Sequence, residues 1–168
     1  MAGTPKDASV SSEAPCHFAL PNDEPGKEIN ALIADLYTLH LVLLTCISNV
    51  AQSGDVRTQR ILDEQLAAVG RQIAALVDRA QVASYLELCS SSDLACFERL
   101  GSSNLANPNR GPDLKGLIED SRQWIEYLHE AHAKLDAHGD VVTARLLTEL
   151  LEHAERRSFQ LSHLPVSE

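Results

Sequence analysis

Aromatic side chains are scarce, three Phe, three Tyr and one Trp making up 4% of the 168 residues, so the core must be built from aliphatic side chains. Cationic side chains are also short: 14 Lys and Arg stand against 24 Asp and Glu, a formal charge of −10. Nucleic-acid backbones are gripped by cations that displace counterions, so this balance argues against DNA or RNA as a partner and for cations or basic surfaces. The four cysteines, Cys16, Cys46, Cys89 and Cys96, are irregularly spaced in a chain long enough to bury its own core, so no disulfide scaffold is expected. The first twenty residues have no cationic start followed by an apolar run, and no apolar stretch is read as reaching membrane-spanning length. The expectation is a soluble, cytoplasmic protein without a membrane partner. Phosphate loops, nucleophile elbows and dinucleotide fingerprints are likewise missing.

What is present is helical periodicity. Residues 1–27 hold four prolines, Pro5, Pro15, Pro21 and Pro25, and few large apolar side chains, the composition of a flexible arm. From Glu28 apolar residues recur as Ile29, Leu32, Ile33, Leu36, Leu43, Leu44, Ile47 and Val50, one face of a helix that stops at Ser53-Gly54. Asp55 can cap a second helix with the stripe Leu62, Leu66, Val69, Ile73 and Leu76, fading around Arg79 to Ala83. After Pro112 and Asp113 a third stripe runs Leu114, Leu117, Ile118, Ile125, Leu128, Leu135, up to the stop signal His138-Gly139. Asp140 then caps a fourth helix with the inner face Leu146, Leu147, Leu150, Leu151, Ala154, Ser158 and Leu161, closed by Pro165.

The connections decide the topology. Short links join the first helix to the second and the third to the fourth, which makes two antiparallel hairpins. Between the hairpins lie about 30 residues, too long for bare loop in a compact domain, with a short amphipathic segment at Ser92 to Leu100. The expected fold is all-α: a ferritin-like four-helix bundle over residues 28–164 with one long crossover carrying a short helix, and a tail at 165–168.

Several side chains invite a chemical reading. Asp63 and Asp78 lie fifteen residues apart on the second helix, about 60° apart around its axis, so both can face one interface. Two solvated acids that pair with Arg60 or Arg71 are the plain alternative. Glu126 and His129 form a single E-x-x-H, with His132 one turn on; two such units serve in di-iron bundles, and one alone fits surface residues beside a core stripe. His40 falls in the first apolar stripe and reads as a buried, hydrogen-bonded imidazole. Cys89 and Cys96 are spaced to form a redox pair or bind a soft metal, although no second pair accompanies them, and Cys46 fits as a small core filler.

Two segments carry a family resemblance. Leu36-Tyr37-Thr38-Leu39-His40-Leu41, followed by Asn49-Val50, resembles the first helix of the Dps proteins, the twelve-subunit miniferritins. Gly139-Asp140-Val141-Val142-Thr143-Ala144-Arg145-Leu146-Leu147 is similar to their final turn and helix, and the resemblance covers about residues 28 to 163. It implies self-assembly into a homododecameric shell, iron as the cargo, stress protection, and, if active, an iron-oxidising oxidoreductase. It also implies a metal site shared across a dimer interface, onto which this chain maps poorly. The two histidine positions fall on Ile47 and Gln59, the tryptophan on Ser48 and the later aspartate on Ala74; only Asp63 and Asp78 supply carboxylates. Two oxygen donors make a weak, labile iron site, so ferroxidase activity is expected to be weak or absent. The other reading is a non-enzymatic structural protein that assembles with itself or with a competent paralogue after losing its metal site.

Overall fold

The computed structural model describes residues 24–86, 91–100 and 113–165. Five helices follow in order: α1 (Glu24–Ser53), α2 (Val56–Val82), α3 (Ser91–Phe97), α4 (Leu114–Ala137) and α5 (Val141–Ser162). No strand occurs among the described residues. The expected ferritin-like arrangement is what the chain adopts: hairpins α1–α2 and α4–α5 pack together chiefly through α1 and α4, α3 lies against α1, and α2 meets α5 only thinly.

Local chemistry sets the ends of these helices. Asp55, Asp113 and Asp140 each cap a helix by accepting from the backbone N–H three residues on, at 3.1, 2.8 and 3.1 Å. The α4–α5 turn is a Schellman motif: Asp140 N–H donates to Leu135 C=O and Gly139 N–H to Asp136 C=O, both at 3.0 Å, with Gly139 at φ +79°. Only glycine takes that conformation without a steric cost. The same pattern ends α2, where Tyr85 N–H reaches Ala80 C=O at 2.8 Å and Ser84 sits at φ 60°. Asn30 holds this exit by donating to Tyr85 C=O at 2.6 Å and to Gly26 C=O at 2.7 Å.

Some expectations need correction. The first helix starts at Glu24 rather than Glu28, because Pro25 fits a first helical turn, where its missing N–H costs nothing. The rest of the expected arm lies outside the described residues. The short helix ends at Phe97 rather than Leu100, since the N–H groups of Arg99 and Leu100 turn away to bond the Asp35 carboxylate. Leu44, expected in the core, is 41% exposed. Helix α1 does contain a window of membrane-spanning length, with mean hydropathy 1.8, contrary to the reading that no apolar stretch reaches it. The reason is its place in the bundle: it packs against α2, α3 and α4 at once and is largely buried by them.

The core is aliphatic, as the composition requires, with Trp124 as its largest fully buried side chain. Ile29, Leu32, Ile33, Leu36, Leu39 and Leu43 of α1 meet Leu62, Val69 and Leu76 of α2, Leu117, Leu128 and Leu135 of α4, and Leu147, Leu150 and Leu161 of α5. Leu100 and Leu164, from outside the long helices, belong to the same core.

Candidate functional site

Asp63 and Asp78 are both exposed on α2. At 1.5 Å per residue they stand about 22 Å apart along the axis, so one chain cannot bring them to one ion. Between them Ala67 and Ala74 are also exposed and lie within about 60° of the same line. This leaves a narrow stripe of two acids flanking two small residues. Arg60 pairs with Glu64 at 3.8 Å rather than with Asp63.

The other positions implied by the resemblance offer no imidazole. Ile47 and Gln59 are half-buried, while Ser48 and Ala74 are exposed. Glu126 and His129 are exposed and His132 half-buried, in keeping with surface residues beside the Leu128 stripe. Among the described residues no three His, Cys, Asp or Glu side chains converge on a point that could hold a metal ion. The donors among the described residues of a single chain therefore do not fit a resident iron.

His40 is half-buried rather than buried, and its Nδ1 has no hydrogen-bond partner among the described residues, which corrects the expected pairing. Cys46 is a buried thiol outside any disulfide, as expected of a core filler; burial pushes its pKa up to about 12, helped by the negative charges of Asp113 and Asp120. Cys96 is disulfide-bonded and exposed, a bond that the expectation of no disulfide scaffold left open. Cys89 lies outside the described residues.

Two polar clusters inside the bundle escaped the sequence reading. In the first, the fully buried Asp35 accepts from the backbone N–H groups of Arg99 and Leu100 at 2.7 and 3.0 Å, and its other oxygen receives Arg99 Nε at 2.9 Å. Arg99 also reaches Glu28 at 3.5 Å and lies 4.3 Å from the centroid of the Tyr127 ring, while Lys134 pairs with Glu28. Burial pushes the Asp35 carboxyl above the ordinary range, and the Arg99 charge with its hydrogen bonds offsets only part of that. This cluster ties α1, α4 and the segment after α3 together.

The second cluster fills the thin α2–α5 seam. Gln65 donates to Gln160, and Arg157 Nη1 donates to Gln72 Oε1 at 3.1 Å. Arg157 is 1% exposed, a cation inside the bundle. Its position was legible: Leu147, Leu150, Ala154, Arg157 and Leu161 recur in steps of three and four, so Arg157 occupies a core register that Ser158 does not. Glu28, Leu32, Asp35, Leu39, Val42 and Cys46 do the same on α1.

No protein-family profile and no curated protein matches the chain. Solved structures do. DpsC from Streptomyces coelicolor superposes with a TM-score of 0.73 at 18% identity, over 86% of this chain and 87% of that one. Dps from Thermosynechococcus elongatus gives 0.68 at 15% identity, over 82% and 87%. The fold is thus a Dps-like, ferritin-like helical bundle, the arrangement expected from the two hairpins and their crossover.

Proposed function

We propose that this chain assembles with itself into a Dps-like shell, a dodecamer by the resemblance, that takes up and stores iron with little or no ferroxidase activity of its own. The observation that carries this reading is the exposed stripe on α2. Asp63 and Asp78, and likewise Ala67 and Ala74, are placed symmetrically about the Gly70–Arg71 bond. When a second α2 crosses antiparallel at that bond, Asp63 of one copy comes opposite Asp78 of the other, twice per dimer, and the alanines permit close approach. Two facing carboxylates repel unless a cation lies between them, so such a pairing favours bound Fe²⁺.

Further support comes from α1, where Tyr37, Leu41 and Leu44 are exposed at 39, 55 and 41% along one helical face. Apolar side chains in a row on a charged protein mark a contact surface. The net charge of −10 suits an interior that draws in cations, and with it we predict no binding to plasmid DNA at about 0.15 M salt. The cytoplasmic location stays part of the proposal; there the Cys96 bond would be reduced or transient.

Light-scattering mass of the purified protein, with Leu41→Glu/Leu44→Glu as the comparison, tests assembly: a large oligomer reduced to smaller species by the double change is expected. Fe²⁺ oxidation with O₂ and with H₂O₂, followed by absorbance beside Asp63→Ala/Asp78→Ala, tests the site. The expected result is slow oxidation that the double change lowers further. A rate equal to that without protein would instead favour the second reading, a structural or co-assembling oligomer without iron chemistry. The absence of any three-donor group among the described residues supports that alternative. A monomer would remove both readings.

A further inference from the structure

The end of the bundle where α1 begins carries apolar side chains that the core does not use. Glu28 pairs with Lys134 near the end of α4, and Asn30 bonds the Tyr85 carbonyl just past α2, so the starts of α1 and α5 share this end with the ends of α2 and α4. Here Val82 is 79% exposed, Val141 67% and Val142 65%. Arg79, one turn before Val82, holds them together: it donates to Thr143 Oγ1 at 2.7 Å and to Asp140 at 2.9 Å, the two residues that bracket Val141-Val142. Scattered apolar side chains on a surface need no explanation, but a group of neighbours marks a contact. Helix formation does not call for valine here either, since valine is a poor helix former and the first turn of a helix favours acids.

The chain itself contains a segment that fits this patch. Twenty-three residues precede Glu24, and apart from Met1 and Val10 their large apolar side chains are Phe18 and Leu20. Pro21 holds Leu20 in extended backbone, and residues two apart in an extended chain point to the same side, so Phe18 and Leu20 present one apolar face. The reach suffices. Leu20 is four residues from Glu24 and Phe18 six, spans of about 13 and 20 Å when extended. Helix α2 packs beside α1 and α5 stands diagonally across from it, at axis separations of about 8–10 and 11–14 Å.

We infer that residues 17–20 of the chain's own N-terminal arm dock on the patch formed by Val82, Val141 and Val142, with Phe18 and Leu20 against the valines. The dock takes apolar surface of both parts out of water and ties the arm to the α2–α5 edge of the bundle. It is separate from the Asp63–Asp78 stripe and from the Tyr37, Leu41 and Leu44 face, and does not rest on iron binding or on assembly.

Limited digestion of the full chain with chymotrypsin reads the dock directly, because the protease cuts after Phe18 only when that side chain is free. Val141→Asp/Val142→Asp removes the patch while placing acids where the first turn of α5 favours them. Cleavage after Phe18, identified by product mass, should be several-fold faster in this variant than in the parent chain. Should the double change disturb α5, Val82→Ser at an exposed position should act in the same direction. Thermal unfolding gives a second readout: Phe18→Ser should lower Tm by about 2–4 °C in the parent chain and leave it unchanged when the patch is already removed. Equal cleavage rates in parent and variants, or the same effect of Phe18→Ser in both backgrounds, overturns the proposal. Protection that disappears on dilution, or in the Leu41→Glu/Leu44→Glu chain, would assign the docked arm to another copy and overturn it as well.

Discussion

Arg99 donates to Asp35 from both its backbone N–H, at 2.7 Å, and its side-chain Nε, at 2.9 Å, so one residue after α3 is locked at two points onto a carboxylate in the middle of α1. The adjacent N–H of Leu100 adds a third bond to the same side chain. The carboxylate stands in for the next turn of helix: it accepts N–H groups that would otherwise continue α3, and so stops α3 and docks the end of the crossover in one act. The cost is a charge buried at 0% exposure, offset by its paired guanidinium.

The first prediction concerns that contact. Asp35→Leu leaves two backbone donors and a guanidinium without their acceptor, and should lower stability by about 3–5 kcal/mol. Urea unfolding followed by circular dichroism measures it. A loss below about 1 kcal/mol would mean that the crossover is held by other contacts, such as the Thr38–Glu98 hydrogen bond at 2.8 Å.

The second concerns the cap of α5. Asp140 is partly desolvated, which by itself would raise its pKa; its bonds to Thr143 and the Arg79 guanidinium at 2.9 Å outweigh this and hold it below the ordinary value of 3.8. A depressed carboxylate contributes stability that is present above pH 3.8 and is lost as pH falls through its folded-state value. Asp140→Asn preserves a capping side chain but removes the charge, and should cost about 1–2 kcal/mol at pH 7. In denaturant titrations across pH the gap to the wild type should close below pH 3.8; a gap that stays constant into acid would assign the loss to geometry rather than charge.

The third concerns Cys46. Its thiol titrates near 9 when exposed and about 12 in the fold, so the folded state holds the proton longer than the unfolded chain does. Stability from this group is therefore complete below pH 9 and is lost as pH rises toward 12. Cys46→Ala should be less stable at pH 7 by about 1–2 kcal/mol from the cavity it leaves, with the difference shrinking in alkali. Labelling gives a second check: a thiol reagent at pH 8 should modify Cys46 only after denaturant is added, and rapid reaction in the native state would refute its burial.

Much of this protein was written into its sequence. The four long helices, the aspartate caps and the glycine turn at Gly139 follow from local rules acting over a few residues, and a crossover too long to be loop separated two hairpins from a simple up-down bundle. That Ile47 and Gln59 carry no imidazole was equally legible, since no folding can supply a donor atom that the side chain lacks.

Other facts had to wait for the tertiary structure. Asp35 and Arg157 sit in core register, but only the packing reveals that Asp35 has its ion pair and that Arg157 has none among the described residues. Arg99 is 64 residues from Asp35, and Gln72 is 85 from Arg157. Whether a buried charge is tolerated depends on the groups brought to it from elsewhere in the chain, because its desolvation cost is fixed by the residue itself while its compensation comes from the neighbours that the fold assembles.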